Sequence, residues 1–149
     1  MSFNDKKELT ILFLASWYPS DQEPISGIFI QRHAQAVSRF CNVIILFIRY
    51  DEMIKHRELI YTYENGIHTF RMNIPVDIKS FVFTRNIKNR LINNFFINAL
   101  FGYSKIVKKF GTPDIIQVNV IKTSMTDMGF FALLIKIFLG IPYIIVEHS

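Results

Sequence analysis

The sequence predicts an α/β fold, a mainly parallel sheet with helices on both faces and an inserted β-hairpin. Three features carry that expectation. Leu9 to Ala15 is an almost unbroken apolar run of strand length, helical patterns alternate with further apolar strands, and Asn65-Gly66 sits between two short runs rich in β-branched and aromatic residues.

Taken in order, Leu9 to Ala15 reads Leu-Thr-Ile-Leu-Phe-Leu-Ala. Continuous rather than alternating apolar character fits a parallel strand buried on both faces. A loop rich in breakers runs from Ser16 to Gly27. A helix is expected from about Ile28 to Phe40, with Ile30, His33, Ala34, Val37 and Phe40 or Ala36 near helical spacing. Val43 to Ile48 forms a second apolar strand. Leu59 to Tyr63 and Ile67 to Met72 flank Asn65-Gly66, a pair that readily supplies the two positive φ angles of a tight turn. They are read as an antiparallel pair that need not belong to the parallel sheet.

The stretch from about Thr84 to Phe110 reads as helical, in two pieces broken near Gly102, with Leu91, Ile92, Phe95, Phe96, Ala99 and Leu100 as its apolar stripe. Asp114 to Val118 is strand-like, with Gly111 and Pro113 before it. Ser124 is expected to cap a helix running to Leu139, and Tyr143 to Val146 makes the last strand. From Met128 to Val146 the only charge is Lys136, which imitates a membrane span. Gly140 and Pro142 divide that run into a helix-sized and a strand-sized piece, so a core helix feeding a buried strand is expected.

A chain of 149 residues, half of them hydrophobic and 15 of them Phe, can build one core and is not disordered. The net charge is +5, and no acidic residue occurs from Ile78 through Pro113, where Lys79, Arg85, Lys88, Arg90, Lys105, Lys108 and Lys109 are all basic. Such a stretch attracts phosphates of lipid headgroups or nucleic acid, or else it is a solvated helical face. Cys41 is the single cysteine, which excludes an intramolecular disulfide and a cysteine metal cluster and fits a reducing, cytoplasmic setting. Lys6-Lys7 before the first apolar run imitates a secretion signal, but Glu8 and Trp17-Tyr18 spoil its flanks.

In parallel sheets ligands sit beyond the carboxyl ends of the strands, which selects the loop after Ala15, the Asn119 region, and Glu147-His148-Ser149. The six glycines are dispersed, so neither G-x-G-x-x-G nor a phosphate-binding P-loop is present, and G-x-S-x-G is missing too. His33, His56, His68 and His148 lack metal-ligand spacing. Gly27 precedes a helix: either it lets a diphosphate or sugar hydroxyl approach backbone N–H groups, or it merely relieves the turn. A histidine at the end of a buried strand, such as His148, can donate to a sugar hydroxyl, or it is structural.

Trp17-Tyr18-Pro19-Ser20, then Pro24 and Ser26-Gly27-Ile28-Phe29-Ile30-Gln31-Arg32-His33-Ala34, resembles the opening of retaining glycosyltransferases of the GT-B fold, and more narrowly the family 4 group. Pro113-Asp114-Ile115-Ile116 and Gly140-Ile141-Pro142-Tyr143-Ile144-Ile145-Val146-Glu147-His148-Ser149 look like the later strands of the same domain. The resemblance implies two Rossmann-like domains facing across a cleft. These 149 residues then correspond to the N-terminal, acceptor-side domain, and a C-terminal donor-binding domain is missing from them. It further implies that Gly27 approaches the donor phosphate or reacting sugar, that His148 faces the transferred sugar as the catalytic position, and that Arg32 reaches an anionic acceptor. Relatives often carry a histidine after the Pro-Asp-Ile-Ile strand; here Gln117, Val118 and Asn119 stand there, leaving Asn119 as a hydrogen-bonding contact that does not titrate near neutral pH.

The implied activity is transfer of a sugar from a nucleotide-sugar to a glycan or lipid-linked acceptor with retention. The nucleotide-sugar is a co-substrate, no cofactor or metal is expected, and the isolated chain is expected to be inactive. Peripheral contact with anionic membrane at its inner face is a further expectation, and nucleic acid is not an expected partner. The alternative is a non-enzymatic α/β binding module using residues 79–109 for nucleic acid or anionic membrane, with Phe95, Phe96, Phe101 and Tyr103 available to stack on bases.

Overall fold

A computed structural model describes residues 8–76, 87–119 and 127–147, with the backbone alone in 87–93. In chain order the elements are β1 (Thr10–Ala15), α1 (Ile28–Val37), β2 (Asn42–Asp51), β3 (Glu58–Glu64), β4 (Ile67–Pro75), α2 (Ile87–Phe110), β5 (Ile115–Asn119), α3 (Met128–Leu139) and β6 (Tyr143–Val146). The strands form one six-stranded sheet in the order β3-β4-β2-β1-β5-β6. Every pairing is parallel except β3 with β4.

β1 is the innermost strand because β2 and β5 pair with its two edges in parallel register, Ala15 standing level with Phe47 and with Asn119. Its Leu12, Phe13, Leu14 and Ala15 are wholly buried. Such a leucine or phenylalanine contributes about 1.5–3 kcal/mol on leaving water. Successive side chains point to opposite faces, so one strand feeds two cores. On one face Phe13 and Ala15 join Val43, Ile45, Phe47 and Ile67 beneath Ile30 and Ala34 of α1. On the other, Leu12 and Leu14 join Ile44, Leu46, Met72 and Ile116 beneath Phe95, Ala99 and Ile106 of α2 and Phe131, Ala132 and Ile135 of α3. The molecule is thus a Rossmann-like α/β layer structure with helices on both faces.

Several local expectations need completion or correction. The hairpin turn forms as expected at Asn65 and Gly66, with φ of 53° and 79°, and both of its strands lie in the main sheet, a point the sequence had left open. β4 pairs with β2 from Val43↔Ile67 to Asp51↔Pro75, because a strand carrying Ile67, Phe70, Met72 and Ile74 has apolar groups to bury on both faces. α2 runs through Gly102 without a break. A Cβ there would stand 2.8 Å from Leu46 Cδ1, so the glycine serves close helix–sheet packing. Its stripe is Phe95, Ala99, Tyr103 and Ile106, while Leu100 is exposed; the Leu91 and Ile92 side chains lie outside the described residues.

α1 ends at Val37, where the Ser38 N–H caps the Ala34 carbonyl, which leaves Phe40 86% exposed. Asp127 starts α3, its side chain accepting from the Gly129 N–H; Ser124 lies outside the described residues. β6 is an edge strand rather than a buried one, with Ile144 and Ile145 about half exposed. Among the described residues no helix is long and apolar enough to cross a membrane.

The hairpin is tied to the end of α2 by an aromatic cluster. The His68 ring lies 4.5 Å from Tyr63 and 4.4 Å from Phe110 between centroids, and its Nδ1 shares a 2.9 Å hydrogen bond with the Tyr61 hydroxyl. Lys109 Nζ sits 3.9 Å over the Tyr61 ring. Burial, and then the Lys109 charge, lower the His68 pKa below its ordinary value. The unfolded chain therefore takes up this proton first as pH falls. The stability from neutral His68 is present above the unfolded pKa of about 6.5 and is lost as pH drops through it toward the lower folded value. His68→Phe keeps the stacking and removes the proton. Thermal denaturation from about pH 7 to about pH 5 is expected to show a smaller acid loss in the variant than in the parent chain. Equal losses in both would remove His68 from the account.

Candidate functional site

The carboxyl end of β1 opens into the loop of residues 16–27, which is held down at several points. Tyr18 is buried and packs on Phe47, ring centroids 6.3 Å apart. The Pro19 carbonyl accepts from Arg71 Nε and Nη2 at 3.4 and 3.3 Å. Ser20 and Glu23 exchange backbone hydrogen bonds of 3.2 and 3.1 Å, closing a tight turn.

The strongest organiser is Arg49, near the carboxyl end of β2. Its Nε donates to Asn73 Oδ1 at 2.8 Å, Nη1 to Ser20 Oγ at 3.3 Å and Gln22 Oε1 at 3.2 Å, and Nη2 to Asp51 Oδ2 at 2.9 Å. Asp51 also accepts from the Met53 N–H at 2.8 Å. One guanidinium thus joins β2, β4 and the loop, as five fixed N–H groups allow. A cleft of about 440 Å³ opens beside it, lined among others by Ser16, Trp17, Gln22, Arg49, Tyr50 and Met128. Sequence reasoning passed over Arg49, Asp51 and Asn73. The available signal was Arg49-x-Asp51 directly after the apolar run of β2, since residues two apart on a strand share a face.

Of the residues expected at the site, Gly27 is the α1 N-cap, with φ of 68°. A Cβ on it would meet the Trp17 carbonyl carbon and oxygen at 2.6 Å and Tyr18 N at 2.8 Å. Its missing side chain makes room for the loop's own backbone. The N–H groups of Ile28, Ile30 and Gln31 already donate to the carbonyls of Ile25 and Gly27, so much of this helix start is satisfied within the chain. Arg32 is exposed on α1 and lies apart from the residues lining the cleft.

Asn119 is the last residue of β5 rather than a loop residue, level with Ala15 of β1 and Val146 of β6. It is fully buried; its Oδ1 accepts from Gln117 Nε2 at 3.0 Å, while Nδ2 has no hydrogen-bond partner among the described residues. A buried amide donor left unmet costs about 1–3 kcal/mol, which makes it a group seeking an acceptor. His148 lies outside the described residues. The strand ends carrying Ala15, Asn119 and Val146 share one rim of the sheet, and the loop that packs Gly27 leaves from that rim.

His33 is an edge-on ring neighbour of Phe13, 5.7 Å between centroids, on the α1 core. Among the described residues no three His, Cys, Asp or Glu side chains gather as a metal site. Phe95 and Tyr103 are buried and Phe96 and Phe101 pack against the core, so these rings are engaged in folding rather than presented to bases.

No family model matches the chain, and no curated protein matches it. Among solved structures, one described as trehalose-6-phosphate from E. coli bound with UDP-2-fluoro glucose is similar over 73% of this chain, at 11% identity and a TM-score of 0.43. The chain spans 27% of that protein's length. On so slight a likeness neither ligand nor activity passes to this chain.

Gly27→Ala is expected to destabilise the fold, because left-handed φ and a backbone clash coincide at one position. A loss of roughly 1–3 kcal/mol in denaturant titration is the expected size. An unchanged midpoint would show that the loop relaxes away from residue 27 at no cost.

Proposed function

We propose that this chain is the acceptor-side domain of a nucleotide-sugar-dependent, retaining glycosyltransferase of the GT-B kind. The observation that carries the reading is the convergence of polar groups on one sheet rim. The buried Asn119 Nδ2, without a partner among the described residues, ends β5 level with the start of the loop of residues 16–27, and that loop is fixed by Arg49 beside a polar cleft. The ordered likeness of the loop and of the strand ending at Val146 to glycosyltransferase sequences supports the same assignment.

In this scheme the rim holds a saccharide acceptor by hydrogen bonds, with Asn119 donating to a hydroxyl and His148 beside the transferred sugar. The nucleotide-sugar is bound by a second domain, whose cations and backbone amides stabilise the leaving diphosphate. No step requires a metal. Neutral oligosaccharides are expected to shift amide signals of residues 16–22 and the Asn119 side chain in an isotope-labelled sample. Asn119→Leu is expected to weaken that response by about tenfold while changing stability by no more than about 1–3 kcal/mol. With a nucleotide-sugar added, the 149 residues alone are expected to show negligible transfer. Turnover by this chain, or saccharide shifts confined to the far end of the sheet, would overturn the assignment.

A peripheral membrane contact on the cytoplasmic side is a second part of the proposal. Ile97 and Leu100 are 62% and 59% exposed on α2, and Lys105 and Lys108 are exposed further along the same helix. Each cation near an anionic surface contributes about 1 kcal/mol, so a few give reversible attachment. Cosedimentation with anionic vesicles that falls with salt is the expected result. Equal binding to neutral vesicles would remove the electrostatic basis.

A further inference from the structure

We propose that a second cleft, between residues 19–24 and the outer strands β3 and β4, is an anion-binding subsite in which Arg71 anchors a carboxylate or phosphate group. This cleft encloses about 500 Å³ and is lined among others by Gln31, Arg49, Thr62, Glu64, Arg71 and Asn73. It exists because α1 covers only the inner part of its sheet face. Ile60, Thr62 and Glu64 of β3 stand opposite Arg71, Thr69 and Ile67 of β4, with no α1 core residue above the outer strand.

Arg71 is fixed and yet leaves donors open. Nε and Nη2 donate to the Pro19 carbonyl, and Nη1 donates to Thr62 Oγ1 at 3.0 Å. A guanidinium has five N–H groups. One on each terminal nitrogen is therefore left, the pair that a carboxylate or phosphate takes bidentately. The Tyr18 ring lies 5.4 Å from the Arg71 guanidinium carbon and restrains it further. Among the described residues, the groups that touch the cation, the Pro19 carbonyl, the Thr62 hydroxyl and the Tyr18 ring, are all neutral. Arg49, in contrast, already holds Asp51 at 2.9 Å. Asp21 and Glu64 also line the cleft, and among the described residues the ion pair is Arg49 with Asp51 rather than either of them with Arg71. They set the discriminating test, because a nearby carboxylate opposes an anion but favours the hydroxyls of a neutral sugar.

The subsite goes beyond the sugar-transfer assignment and is tested by binding alone, without a donor or a product, so either can fail without the other. The isotope-labelled chain is titrated separately with inorganic phosphate, a hexuronate and a neutral hexose. Phosphate or hexuronate is expected to shift residues 19–22, Thr62 and Arg71 saturably, and which of the two binds identifies the oxyanion. Arg71→Gln is expected to weaken this binding about tenfold or more, and Arg71→Lys, which keeps the charge without the fork, by less. Glu64→Gln is expected to tighten it by about two- to fivefold by removing a like charge. The lysine variant also guards against a folding defect in the glutamine one. Equal shifts of Thr62 and Arg71 by the neutral hexose, no loss in either Arg71 variant, or weaker binding in Glu64→Gln would overturn the proposal.

Discussion

The Arg49 guanidinium is the interaction on which both clefts depend. It draws on a carboxylate two residues along its own strand, an amide on β4 and two side chains of the loop after β1. Asp51 is nearly buried, and a charge in that position is tolerated because the cation and the Met53 N–H meet it. The geometry also fixes the loop. With Ser20 and Gln22 tethered from one side and Pro19 from the other by Arg71, the segment forms a rigid partition between two polar openings.

Unequal helix cover gives those openings their places. α2 and α3 lie over one sheet face, burying residues from all of the inner strands, whereas among the described residues the other face is covered by the short α1. The outer part of that second face then carries Arg71, Thr62 and Asn73 where a covered sheet would carry apolar groups. Each of these side chains has at least one partner in a neighbour or the loop, which holds it in place while the Arg71 fork keeps donors to spare.

Much of the fold was legible in the chain. Uninterrupted apolar runs announced β1 and β2, and Asn65-Gly66 announced the hairpin, because each rests on a local rule that tertiary contacts had no reason to override. What escaped notice depended on contacts distant in sequence. Gly102 read as a helix break until Leu46 was seen to occupy the space that a side chain would need. Leu100 read as core, but the helix turns so that Phe95, Ala99 and Tyr103 face inward. At the site, Asn119 was legible from its place after an apolar strand, yet its unmet amide was not. Arg49 was invisible as a hub because its partners Ser20 and Gln22, in the loop after β1, and Asn73, on β4, are distant from it in the chain.

β6 illustrates how strength varies across the sheet. It is four residues long, pairs only with β5 among the described residues, and its Ile144 and Ile145 each remain about half in solvent. A strand with so little apolar cover and one solvated backbone edge frays long before the strands flanking β1 separate. Amide protons should therefore exchange faster along this seam than along β1. On this flank, thermal motion would free β6 before it disturbs β5 and β1.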